Sequence, residues 1–150
     1  MDGSWWIVNS SWLITDGLGD EITKKQAINF YTMAFQFKDL QIWQRALDPT
    51  EIVTTVAAKF PKEELYVLTG QIKRAADSTA LNIAEGSQGQ SKVEFNRFLG
   101  IALRSDIEVV ACIFVARKRK IISEENFNLI YQEEESLVKM IHTVRKNYNP

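Results

Sequence analysis

Gln71-Ile-Lys-Arg-Ala-Ala-Asp-Ser-Thr-Ala-Leu-Asn-Ile-Ala-Glu-Gly86 decides how this chain folds. It is the second half of an amphipathic run that begins near residue 62. Leu65, Leu68, Ile72, Ala75, Thr79 and Ile83 recur at steps of three and four, which places them on one face of a helix. Pro61, Glu63 and Glu64 suit the first turn, where a missing N–H costs nothing and carboxylates meet the positive end of the helix dipole. Gly86 supplies the stop. Ala75, Ala76, Ser78, Ala80 and Ala84 are small enough to admit a neighbouring helix. Lys73 and Arg74 form a basic outer edge, while Asn82 and Glu85 bring polar groups to the last turn.

On either side of this run the chain is also helical in pattern. A first helix is expected over 38–60, with Leu40, Trp43, Leu47, Val53, Ala57 and Phe60 on one stripe and Ile42, Ala46, Ile52 and Val56 on a second. Pro49 inside it predicts a kink or a break into 38–47 and 49–60, with Asp48 capping the second piece. After the polar linker 87–90, Ser91 and Glu94 form a capping box that opens a third helix to about Lys120. Its apolar residues fall on two stripes, one with Phe95, Phe98, Ala102, Val109, Ile113 and Ala116, the other with Leu99, Leu103, Val110 and Phe114. A helix wetted on so little of its circumference touches more than one partner, inside the bundle or in another subunit. Ser123, Glu124 and Glu125 open a fourth helix over 124–147, whose Phe127, Ile130, Glu134, Leu137, Ile141, Val144 and Tyr148 make a heptad seam. Short connections enforce antiparallel neighbours. The expected fold is all-α, an up-down-up-down four-helix bundle over 36–150.

Residues 1–35 read differently. Trp5, Trp6 and Trp12 sit among Ser, Asn, Gly and Asp, and Gly17 and Gly19 break any helix. The expectation is a poorly ordered extension, with two alternatives: an apron of tryptophans over the bundle, or a biological start at Met33. Residues 12–15 fit strand or coil.

Composition narrows function by exclusion. At 150 residues, 45% hydrophobic and 25% charged, the chain suits one soluble domain with a proper core. The net charge is -1, and residues 1–32 carry four acids against two lysines, so the remainder is close to neutral and any basic surface is local. The single cysteine, Cys112, excludes an internal disulfide and lies among apolar residues, as a buried inert thiol would. No stretch approaches the ~20 apolar residues that span a bilayer. The run at residues 5–8 is too short, and lacks the basic flank, for a signal peptide, so the cytoplasm is the expected location.

Catalytic signatures are missing. The one histidine, His142, cannot supply the paired Glu-x-x-His ligands of a di-iron bundle. No CxxC, Walker loop, GxGxxG or GxSxG occurs, and residues 133–135 read as a solvated acidic run. The chain is therefore read as non-enzymatic, with no metal and no cofactor. Two groups of residues remain. Asn82, Glu85 and Gly86 form a polar corner, either a hydrogen-bonded pin with Arg97 or Gln90 as partners or a ligand site. Lys73, Arg74, Arg97, Arg104, Arg117, Lys118, Arg119 and Lys120, supplemented by Lys139, Arg145 and Lys146, are either a solvated surface or, multiplied by oligomerisation, a phosphate-binding one.

Several segments, in order, resemble a known family. They are Phe37-Lys-Asp-Leu-Gln-Ile-Trp-Gln-Arg-Ala46, Phe60-Pro61, Leu68-Thr-Gly-Gln-Ile-Lys-Arg-Ala-Ala76, Ser78, Asn82-Ile-Ala-Glu-Gly86 and Glu94-Phe-Asn-Arg-Phe-Leu-Gly-Ile-Ala102. Over about 36–148 the chain is similar to the four-helix-bundle proteins encoded in 23S rRNA intervening sequences, a family that includes the accessory protein of diversity-generating retroelements. The resemblance implies a homopentameric ring, RNA or DNA binding through basic residues in some members, and a reverse transcriptase partner in the retroelement branch. Departures are Pro49, and Asp77 and Thr79-Ala-Leu81 in place of a common Val-Ser-Ile-Pro-Ser-like run. The reading is an oligomeric bundle that binds RNA, DNA or a ribonucleoprotein through the eight basic residues. The alternative is an adaptor whose ring engages another protein.

Overall fold

The computed structural model describes residues 4–8, 11–15, 35–89 and 91–147. The chain divides into two units, Met1–Gln36 and Phe37–Pro150. In the first, β1 (Ser4–Val8) pairs antiparallel with β2 (Ser11–Thr15), Ser4 opposite Thr15 and Val8 opposite Ser11. Aromatic and β-branched residues concentrate in these two segments, which suits a pleated ladder. The segment open between strand and coil is thus strand. The expected poor order of residues 1–35 and the start at Met33 otherwise concern residues outside those described.

The second unit is an all-α four-helix bundle built from α1 (Gln41–Ala57), α2 (Gly70–Ser87), α3 (Lys92–Lys118) and α4 (Glu124–Lys146). A 3-10 turn, Gln36–Asp39, leads into α1, and the Phe37 ring meets Trp43 edge-on at 4.7 Å. α1 runs unbroken through Pro49, so of the expected kink or break the break does not occur. Asp48 caps nothing there; its carboxylate pairs with Arg45 at 2.7 Å. The buried face of α1 is Ile42, Ala46, Pro49, Val53, Val56 and Ala57, a line that crosses both expected stripes and leaves Leu47 exposed.

Between α1 and α2 the backbone changes pitch. Lys62–Glu64 is 3-10, Leu65–Thr69 is a π-helix, and α-geometry begins at Gly70. At the other end α2 continues to Ser87, so Gly86 lies inside the helix and is not its left-handed stop. The reason for glycine is steric. A Cβ there would lie 2.3 Å from the Phe98 Cβ and 2.9 Å from its Cγ, so the absent side chain lets α3 cross at close range. The capping expectations for the last two helices hold: Ser91 accepts from the Glu94 N–H at 3.1 Å, and Ser123 accepts from the Asn126 N–H at 3.2 Å. α3 closes with Lys120 at φ 60, and the Ile121 N–H donates to the Ala116 carbonyl at 3.0 Å, a Schellman ending on a residue other than glycine.

Burial divides the core into two apolar clusters. One gathers Val53, Ile72, Val109, Ile113, Phe127 and Ile130; the other gathers Ile42, Ile83, Leu99, Ala102, Leu137 and Ile141. Cys112 belongs to the first, and its burial pushes the thiol up.

Candidate functional site

The residues between the two clusters along each helix are polar or lack an N–H. Pro49 on α1, Thr79 on α2, Asp106 on α3 and Glu134 on α4 are all buried, Thr79, Asp106 and Glu134 at 1% exposure each. The Thr79 hydroxyl donates to Asp106 Oδ1 at 2.6 Å. Asp106 and Glu134 are close enough to influence each other's titration. No N–H or hydroxyl reaches Asp106 Oδ2 or Glu134 Oε2, so one shared proton is what makes either of them a donor. Desolvation is the main cause that raises both acids, Glu134 to about 9 and Asp106 to about 7. The Asp106 and Glu133 charges push Glu134 further up and Arg45 pulls it down, while Thr79 and Glu134 pull Asp106 down.

The sequence puts Glu134 both in the α4 seam and in an acidic run that reads as solvated, and no stripe of the sequence analysis includes Asp106. The signal was present. Ala102, Asp106 and Val109 continue the α3 core stripe at steps of four and three, with an acid where an apolar residue would stand. Glu133, by contrast, faces out from α4 to ion-pair with Arg45 of α1, which also binds Asp48.

The polar corner dissolves into separate roles. Asn82 Nδ2 donates within its own helix, to the Ser78 carbonyl at 2.7 Å and the Ser78 hydroxyl at 3.0 Å. Ser105 on α3 donates to the same Ser78 hydroxyl at 3.0 Å, which ties the two helices. Glu85 is exposed, and Gly86 serves the Phe98 crossing. Of the suggested partners, Arg97 lies over the Phe98 ring at 5.4 Å, and Gln90 is outside the described residues.

The eight basic residues do not act as one group. Arg119 Nη1 bonds both Glu64 oxygens at 2.8 Å, and Arg117 bonds Glu124 at 2.8 Å while lying over Phe127 at 4.5 Å. Arg74 bonds Gln71 at 2.9 Å, and Lys73 is half-buried on α2. Lys139 pairs with Glu135, and Arg145 bonds Asn96 across the α3–α4 interface. Arg97, Arg104, Lys118 and Lys120 are exposed and make no ion pair among the described residues.

Three of those four cations share one surface of α3. Val93, Arg97, Ile101, Arg104, Ile107, Ala111, Phe114 and Lys118 follow at steps of three and four and all are exposed, while Glu108 in the same arc is half-buried and accepts from Gln71. Val93, Ile107 and Phe114 are 73%, 58% and 49% exposed, an apolar content beyond that of an ordinary wetted helix face. Among the described residues no group of histidine, cysteine and carboxylate side chains is placed to hold a metal, and no helix is long and apolar enough to cross a membrane.

Fold and core together define an all-α antiparallel four-helix bundle with a buried acid pair at its waist. The chain belongs to the 23S rRNA-intervening sequence protein family, whose pattern it matches over residues 38–143. It is also similar to the crystal structure of a protein of unknown function from the S23 ribosomal protein family of Bacteroides thetaiotaomicron. That likeness has a TM-score of 0.66 and 22% identity, covering 70% of this chain and 98% of the other. At that identity the similarity is one of fold. No curated protein matches the chain.

Proposed function

We propose that the protein is a non-enzymatic scaffold that self-associates and binds RNA or DNA, free or within a ribonucleoprotein, through cations carried on α3. The observation behind this reading is the outer face of α3, on which Arg97, Arg104 and Lys118 alternate with exposed apolar side chains and the one acid, Glu108, is engaged by Gln71. Apolar contact between copies hides Val93, Ile107 or Phe114 and gathers several sets of cations on one particle. That arrangement gives a nearly neutral chain a local phosphate-binding surface. A pentameric ring, as the family resemblance implies, is the expected stoichiometry. Arg117 and Arg119 contribute less, since each is neutralised by a glutamate.

Filter binding across a salt series tests the reading. Affinity for single-stranded RNA falls with salt at a log–log slope of about -0.7 per phosphate contact. Arg97→Ala with Arg104→Ala lowers affinity and flattens that slope by roughly one to two units. No binding at low salt refutes the nucleic-acid part, and a 17.2 kDa species in light scattering at micromolar concentration refutes self-association.

A second reading is an adaptor for another protein, such as a reverse transcriptase. It is favoured by the π-helical corner, where Tyr66 is 91% and Val67 57% exposed. Retention of a protein partner after nuclease treatment, with loss on Tyr66→Ser, supports this alternative.

A further inference from the structure

We propose that the Asp106–Glu134 pair is a proton-operated latch that holds α4 against α2 and α3, closed while the pair shares a proton and strained when it is lost. The geometry carries the argument. The pair lies between two apolar clusters, and each acid is buried. Asp106 Oδ1 is satisfied by Thr79, which leaves Asp106 Oδ2 and Glu134 Oε2 buried with no donor. One proton between Oδ2 and Oε2 satisfies two buried oxygens at once. Its removal puts like charges side by side in a medium that solvates them poorly.

The charged surroundings are few. α1 offers Arg45, which is engaged with Asp48 and Glu133 and draws Glu134 only slightly toward ionisation. α2 offers the neutral Thr79, and α3 offers Asp106 itself. On α4, Glu133 opposes ionisation of Glu134, and Glu135 turns away to Lys139 at 3.0 Å. No cation reaches the pair from inside the bundle among the described residues. Pro49 completes the layer from α1 and withholds the N–H that the Arg45 carbonyl would otherwise accept.

Both acids are held above their unfolded values of 3.8 and 4.5, so the folded state binds more protons than the unfolded one. The contribution is fully present below those unfolded values and is lost as pH rises through about 7 and about 9. Where one extra proton is held, the folding constant falls about tenfold per pH unit. This bundle therefore weakens toward alkaline pH and tightens toward mild acid.

The test uses the full-length protein with carbon-13 in the side-chain carboxyls. Nuclear magnetic resonance of the wild type is expected to show two carboxyl resonances that titrate above about pH 6, well clear of ordinary Asp and Glu. Urea unfolding is expected to show the folding constant dropping about tenfold per unit between roughly pH 7 and 9, and Glu134→Gln is expected to remove most of that slope. The latch is overturned if every carboxyl titrates below about pH 5.5, or if Glu134→Gln keeps the wild-type slope. Should Glu134→Gln not fold, the wild-type titration decides alone.

Discussion

Gly86→Ala is the sharpest probe of how the bundle is packed. In an exposed helix interior, alanine in place of glycine adds about 1 kcal/mol of stability. Here the new methyl would stand 2.3 Å from the Phe98 Cβ, 2.9 Å from its Cγ and 3.2 Å from Phe95 Cδ2. Carbon atoms in contact settle at roughly 3.5–4.0 Å, so α2 and α3 must part locally by about 1 Å. No rotamer change relieves the clash, because a Cβ moves only with its backbone. Over-packing of this kind costs typically ~1–3 kcal/mol, and a clash with backbone-fixed atoms belongs at the upper end. The expected net loss is about 2 kcal/mol, read as a lower urea midpoint at unchanged m-value and a fall in Tm of roughly 5–10 °C. Phe98→Ala does not rescue it, since the offending Cβ remains. Gly100→Ala is the internal control: the nearest atoms to its Cβ are those of the flexible Arg145 guanidinium, at 3.4 to 3.7 Å, and the variant is expected to be as stable as wild type or slightly more so. If Gly86→Ala is as stable as wild type while Gly100→Ala is not, close packing at the α2–α3 crossing is the wrong explanation for the glycine.

Two further outcomes follow from single contacts. Thr79→Val removes the donor to Asp106 Oδ1 and is expected to cost about 1–3 kcal/mol at neutral pH and less near pH 5, measured by urea unfolding at both; an equal loss at both would argue against a charge-assisted bond. Lys120→Gly relieves the left-handed backbone that closes α3 and is expected to stabilise by about 1 kcal/mol, with thermal unfolding as the check and a lower Tm as the contrary result.

The helices, their order and most of their ends follow from the chain alone. Apolar spacing in α2 and α4 states which face goes inward, and Ser91 and Ser123 announce where helices begin, because a capping bond involves neighbours in sequence. The stripe of cations and exposed apolar residues on α3 is likewise local. Its residues recur at helical spacing, and their exposure follows once the opposite face is known to pack.

What the tertiary structure alone decided is every feature whose partners are far apart along the chain. Pro49 predicts a kink or a break, yet α1 continues through it unbroken, since burial against the other helices holds a backbone that local propensity disfavours. Gly86 looked like a stop until Phe98 was seen to occupy the space a side chain would need. Glu134 looked solvated because its neighbours Glu133 and Glu135 are. One residue along a helix turns the side chain by about 100°, which separates an ion pair on the surface from a carboxyl in the core. Only the meeting of α3 with α4 shows that this carboxyl finds Asp106 there, since no spacing within a single helix encodes the distance between residues contributed by two.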